Sequence, residues 1–153
     1  MATMIHVLGS GGWIPTDKKH TTCFLIEFNE QLVLLDTGTG IARLGDFKEI
    51  LKKYDTIHIL YSHYHLDHLI GLIYLPKWIG SHHIKIWGPG KPYYDQHCAT
   101  ILRTFTGSPY FAHPIDKFGK SISISDYNKD FRIDGRTRIG ITPQQHTAPS
   151  FGI

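Results

Sequence analysis

Cysteine is nearly absent from this 153-residue chain, with Cys23 and Cys98 its whole complement. Two thiols cannot build the disulfide framework of small secreted domains. Both lie in segments that read as buried or helical, so free thiols in a reducing cytoplasm are expected. No apolar run approaches the roughly 20 residues that a membrane-spanning helix needs. The N-terminus begins with the strand-like Met4-Ile5-His6-Val7-Leu8 and lacks the basic and long apolar regions of a secretory leader. Repeats, low-complexity tracts and linkers are missing too, which makes one domain over residues 1–153 the expectation. The charge excess is small, a net +3. Basic residues are scattered, and the pairs Lys18-Lys19 and Lys52-Lys53 read as solvated faces, not as the stripe of a nucleic-acid reader. What remains is 41% hydrophobic and 19% charged, which is globular and not disordered.

Against that plain background stands His63-Tyr64-His65-Leu66-Asp67-His68, directly after the largely apolar Ile57-His58-Ile59-Leu60-Tyr61. Imidazole and carboxylate are the nitrogen and oxygen donors that zinc and its neighbours accept. His63 and His65 are two apart, so an extended segment projects them to one side. A helix beginning near Asp67 would present Asp67 and His68 from its first turn towards a second point. The spacing predicts a strand delivering a metal-binding loop with ligands for two adjacent ions. The other histidines, among them His58, His97 and the expected surface pair His82-His83, lack such spacing.

The flanking sequence predicts alternating strands and helices. Thr22–Phe28 and Gln31–Asp36 form a hairpin about Asn29-Glu30. Gly9, Gly11 and Gly12 form a loop able to approach a ligand or merely to bend. A helix from Phe47 to about Tyr54 is capped by Asp46 and Glu49. A short buried helix follows the histidine motif and closes at Pro76. Another runs from Tyr93 to about Phe105. Ser121–Ser125 alternates as a half-buried strand, and Asp134-Gly135 turns a second hairpin. The pattern is that of a layered α/β domain.

The motif after its apolar strand resembles the HxHxDH signature of the metallo-β-lactamase superfamily, a group of mostly zinc-dependent hydrolases. The likeness extends along the chain. Val7-Leu8-Gly9-Ser10-Gly11-Gly12-Trp13-Ile14-Pro15-Thr16 is similar to the opening of the ribonuclease Z and phosphodiesterase branch, and Leu34-Leu35-Asp36-Thr37-Gly38 to its Asp-bearing strand end. Gly71-Leu72 and Ile86-Trp87-Gly88-Pro89-Gly90 fall where such proteins carry Gly-Leu and Gly-Pro. Gln145-His146-Thr147-Ala148-Pro149-Ser150 resembles the segment supplying a third histidine. Phe151 and Leu66 stand where ribonuclease Z commonly has Tyr and Gly, which favours the broader phosphodiesterase-like branch.

The resemblance implies an αββα sandwich, of which this chain is expected to be the N-terminal part, stopping soon after His146. It implies a first ion on His63, His65 and His146. A second would sit on Asp67 and His68, with Asp67 also orienting the nucleophile. Two further ligands for the second ion normally follow the third histidine, so Asp126, Asp130 and Asp134 do not qualify by order. Asp36 is a candidate to accept a hydrogen bond from a ligand histidine, and Ser150 to touch a substrate phosphate. Two zinc ions, with manganese or iron as alternatives, would activate a water for attack on a phosphodiester. The expected partner is a small phosphodiester or a nucleic acid, with no membrane and possible homodimerisation. The rival expectations are a catalytically incomplete metal-binding or assembly fragment and a tRNA- or RNA-processing endonuclease.

Overall fold

A computed structural model describes residues 3–153. Six strands form one mixed sheet in the order of the chain: β1 (Met4–Gly9), β2 (Cys23–Phe28), β3 (Gln31–Leu35), β4 (Thr56–Leu60), β5 (His83–Pro89) and β6 (Ser121–Tyr127). The first three pair antiparallel, and β3 to β6 pair parallel. Asn29 and Glu30 make the β2–β3 turn with both φ angles positive (47° and 62°), the primed geometry that matches strand twist. Central strand β4 is flanked on both sides and buried along all but its first residue, as parallel strands with two covered faces are.

Alternation divides the sheet's faces. Leu32, Leu34, Ile57, Ile59, Ile84 and Ile86 point into the main core, which the helices cover. Val33, Leu60 and partly buried Trp87 point the other way. There Phe131, Ile133 and Ile139 cover them from the small sheet of β7 (Phe131–Arg132) and β8 (Arg138–Ile139) about the predicted Asp134-Gly135 turn. A further two-stranded sheet, β9 (Thr142–Gln144) with β10 (Ser150–Gly152), was not expected. Among the described residues no helix is long and apolar enough to cross a membrane.

Three helical expectations are corrected. Asp46 does not cap a helix: Thr39–Phe47 is 3₁₀, α1 is only Lys48–Leu51, and its N-cap residue is Phe47 without a side-chain bond. Buried Ile41 and Leu44, with Phe47 packed on the core, recur every three residues, the period of a 3₁₀ segment. Pro76 opens a helix instead of closing one. The motif leads into α2 (Leu66–Leu69), a 3₁₀ turn follows over Ile70–Tyr74, and α3 (Pro76–Ile79) starts with its proline in the first turn. The expected Tyr93–Phe105 helix is two, α4 (Lys91–Tyr94) and α5 (Cys98–Thr106). Asp95 between them is left-handed, and Asp126 from β6 accepts the Cys98 N–H at 2.8 Å. His82 is also not a surface residue; it is buried and bonds the Leu51 carbonyl through Nε2.

Candidate metal centre

β4 ends against its neighbours, and the motif begins at once. The Tyr61 N–H donates to the Trp87 carbonyl of β5, and the Tyr61 hydroxyl meets Thr37 beyond β3 at 2.7 Å. The chain then turns through Ser62 and His63 to His65, which is extended (φ −61°, ψ 149°) and precedes α2 with its side chain uncommitted to capping. Gly71 lets this turn lie flat on the end of β3, because a Cβ there would stand 2.2 Å from the Gly38 carbonyl oxygen.

Asp36 organises the turn. It is 2% exposed and left-handed (φ 56°), a conformation that Asp tolerates better than most residues. Its Oδ1 accepts the Ser62 N–H, and its Oδ2 accepts the Ser62 hydroxyl, both at 2.8 Å. Oδ2 also accepts from His68 Nδ1 at 2.7 Å. With the Ser62 proton given to Asp36, Ser62 Oγ can only accept at 3.0 Å from His63 Nδ1–H. Ser150 Oγ lies 3.5 Å from the same nitrogen. Both relays place the ring proton on Nδ1, so the Nε2 lone pairs of His63 and His68 are bare.

His146 arrives from elsewhere in the chain, between β9 and β10. That hairpin is held by the Phe151 N–H on the Ser62 carbonyl and by the Tyr94 hydroxyl on the Pro149 carbonyl at 2.6 Å. Phe151 is buried against the Tyr93 and Tyr127 rings. One nitrogen from each of His63, His65 and His146 lies within 4.8 Å of the other two. Ring centroids are 4.7 Å apart for all three pairs, and the His68 ring, tilted 52° to that of His63, has its centroid 4.1 Å away. Asp67 stands one step aside, its Oδ2 3.6 Å from His68 Nε2 and accepting the Trp13 N–H at 2.6 Å.

The donor set fits a divalent ion on two counts. Three imidazole nitrogens converge, and His63 Nε2 is buried without a hydrogen-bond partner, which is costly unless something occupies its lone pair. Burial, reinforced by His68, His65 and His146, lowers the His63 pKa to about 4 and keeps it neutral. Burial also opposes protonation of His68, but the Asp36 bond and the Asp36 and Asp67 charges outweigh it and raise that pKa. For Asp67 burial is likewise outweighed, here by the Trp13 N–H and the His68 charge, and the carboxyl is held low.

Of the residues singled out from sequence, Asp36 and Ser150 sit behind the imidazoles. Ser150 is 4% exposed, with its hydroxyl 3.5 Å from His63 Nδ1. The three carboxylates excluded by chain order are engaged elsewhere: Asp126 with His97 and Cys98, Asp130 with Arg138 and Ile141, Asp134 with its own turn. Sequence reasoning missed Ser62, whose only signal was its place beside His63. It also missed the Trp13 amide and Tyr94. A groove of about 550 Å³ opens beside His65 and Asp67, walled by Trp13, Ile14, Leu66 and Ile70.

Comparison with known proteins accords with this architecture. The family description "Metallo-beta-lactamase superfamily" matches residues 16–138, and the chain belongs to that superfamily. Ribonuclease Z of Clostridium acetobutylicum is 38% identical over 69 residues, 44% of this chain and 22% of that protein. Ribonuclease Z of Thermococcus sibiricus is 27% identical over 134 residues, 83% of this chain and 42% of that protein. These relatives are matched over less than half their own length. In fold the chain is similar to the metallo-beta-lactamase fold protein YhfI from Bacillus subtilis, with a TM-score of 0.68 at 19% identity, covering 97% of this chain and 55% of the other. It is also similar to the short form of human tRNase Z, with a TM-score of 0.61 at 19% identity, covering 98% and 63%.

Proposed function

We propose that this chain carries the metal-holding part of a phosphodiester hydrolase. The observation that carries the reading is the convergence of His63, His65 and His146, with the buried Nε2 of His63 unpartnered. Those three imidazoles would hold one divalent ion, and Asp67 with His68 would contribute to a second. An all-nitrogen set suits zinc, with manganese and iron as alternatives. When bound, such ions supply Lewis acidity towards a phosphoryl oxygen and a hydroxide nucleophile near neutral pH.

The chain's own groups have separate tasks. Ser62, with Ser150 nearby, holds the His63 proton on Nδ1, and Asp36 does the same for His68, so each ring offers Nε2. Asp67 is held by the Trp13 amide with one carboxylate oxygen free of that bond; it would orient the attacking water and receive its proton. The groove beside it admits the ester's side group. Relatives named ribonuclease Z and a tRNase Z neighbour favour RNA as the phosphodiester, and the buried, unpaired Cys23 and Cys98 fit a reducing cytoplasm.

The test is metal content by plasma mass spectrometry together with hydrolysis of bis(p-nitrophenyl) phosphate. The purified chain should retain at least one equivalent of metal and turn the ester over, and His63→Ala should lose both. Equal metal content and turnover in the variant would overturn the proposal.

A further inference from the structure

The end of the sheet opposite the imidazoles carries a second constellation. β4 spans about 17 Å at the usual rise per residue. The histidine motif follows its last residue, whereas a groove of about 800 Å³ surrounds the residues just before β4 and β5. Lys52 and Lys53, a solvated pair by sequence, form part of its wall. The fold adds Lys48 from the start of α1 and Lys77 from α3, so four lysines line one groove. All four lysines are exposed, and among the described residues only Lys52 of the four has a carboxylate partner, Glu49 at 2.6 Å. Asp55, the groove's own acid, lies 3.5 Å from His83.

One feature makes this more than a basic surface. Trp78 forms one wall, its ring edge against Gly45, with Lys77 Nζ 4.6 Å and Lys48 Nζ 5.8 Å from the ring centroid. Positive charge and a flat aromatic face therefore share one spot. His82, 7% exposed, forms another wall. Its Nε2–H donates to the Leu51 carbonyl at 3.2 Å, which makes Nδ1 an acceptor, and that buried nitrogen has no partner. Ammonium donors and an aromatic face together call for a ligand with negative charge and a flat ring.

We propose that this groove is a nucleotide-binding site separate from the metal centre. The lysines take the phosphate and Trp78 stacks with the base. Lysines bind phosphate as point charges, and base–aromatic stacking tolerates any base, so the site has no strong base preference. The nucleotide is either free or the end of an RNA strand. An anionic membrane fits less well, because none of the large exposed hydrophobic side chains among the described residues lines the groove.

The test uses the whole chain and follows tryptophan quenching by AMP and anisotropy of a labelled eight-nucleotide RNA. Inorganic phosphate and anionic phosphatidylserine vesicles are the comparison ligands. AMP should bind at least tenfold more tightly than inorganic phosphate. Lys48→Gln/Lys53→Gln/Lys77→Gln should weaken AMP at least tenfold while leaving bis(p-nitrophenyl) phosphate turnover and the melting profile unchanged. His63→Ala should bind AMP like the parent. If the ligand is a strand end, RNA competes with AMP, and its log–log salt slope falls by about 2 in the triple variant, three contacts at ~0.7 each. If the ligand is free, only AMP responds. No AMP binding, equal binding of inorganic phosphate, no loss in the triple variant, loss in His63→Ala instead, or binding confined to vesicles would each overturn the assignment.

Discussion

His63 and His146 bring the same chemical group to the same point from differently built surroundings. His63 is 2% exposed and follows a strand buried between two parallel neighbours, with Asp36 tying its turn down through Ser62. His146 is exposed on a hairpin of three-residue strands, and β9 is exposed throughout. A few edge contacts hold that hairpin: the Phe151 amide and ring, and the Tyr94 hydroxyl. A donor rooted in the core is preorganised by the whole fold, whereas a donor on a peripheral ribbon is only as well placed as its local contacts. Disturbing the first side should unfold the protein, and disturbing the second should loosen only the ion.

Acid is the strongest way to break that contrast, because it acts on the β4 side through the whole fold. Burial lowers His58 to about 4, with Lys85 adding to the shift and Asp134 opposing it, and His63 also lies at about 4. An unfolded histidine takes its proton near 6.5 and these folded ones only near 4, so between those values the unfolded state binds more protons. Stability contributed by the neutral rings is therefore present above pH 6.5 and drains away as pH falls towards 4. His68, raised by Asp36 and Asp67, acts oppositely and only as pH rises above 6.5. Denaturant titration of chelator-treated protein should show a loss of about 3–4 kcal/mol between pH 7 and pH 5. A flat profile would remove both buried neutral imidazoles from the account.

Gly71→Ala probes the same side by steric means. The new methyl would meet the Gly38 and Thr37 carbonyl oxygens at 2.2 and 2.7 Å, both backbone atoms that cannot swing aside. A cost of about 3 kcal/mol in global unfolding is expected. An unchanged midpoint would show that the motif turn is not pressed onto β3 as described. Asp36→Asn keeps the shape and tolerates the left-handed backbone but removes the charge that collects Ser62 and His68. It should cost about 2 kcal/mol and bring the His68 titration, followed by NMR, down from its raised position. An unmoved titration would assign that shift to another group.

Tyr94→Phe sharpens the contrast from the hairpin side with the smallest effect. It removes one hydroxyl from the Pro149 carbonyl, worth about 1 kcal/mol locally. Metal affinity should fall severalfold in a competition titration while the unfolding midpoint moves little. A midpoint drop as large as that of Gly71→Ala would show that the hairpin is part of the core after all.

Legibility in the sequence followed the same divide. Four chemistry-bearing side chains fall within His63–His68, and the apolar run before them announces a buried strand, so covalent neighbourhood alone carried that half. The hairpin about His146 reads as Thr-Pro-Gln-Gln-His-Thr-Ala-Pro-Ser-Phe-Gly, polar and twice interrupted by proline, with no alternation to mark β9 or β10. Only likeness to the superfamily pointed to His146. Helix boundaries failed where tertiary packing overrode local signals: Asp46 was a fair cap, yet Ile41 and Leu44 draw the chain into a 3₁₀ path. His82 looked like half of a surface pair because burial is set by α1 and α3 packing around it, not by its neighbours in sequence.

By itself the sequence determined the alternating α/β layout, the strand that delivers the motif, and the kinds of donor present. These rest on periodicity and on contacts a few residues apart, which a linear string records directly. Tertiary structure alone decided that His146 closes on His63 and His65, and that Ser62 and Asp36 leave Nε2 of His63 and His68 bare. It also decided that Lys48, Lys52, Lys53 and Lys77 line one groove with Trp78. Each of these joins groups far apart in the chain, or sets a proton's position through a hydrogen bond between them. Such geometry exists only once burial of the sheet's two faces has offset the entropy of closing the loops.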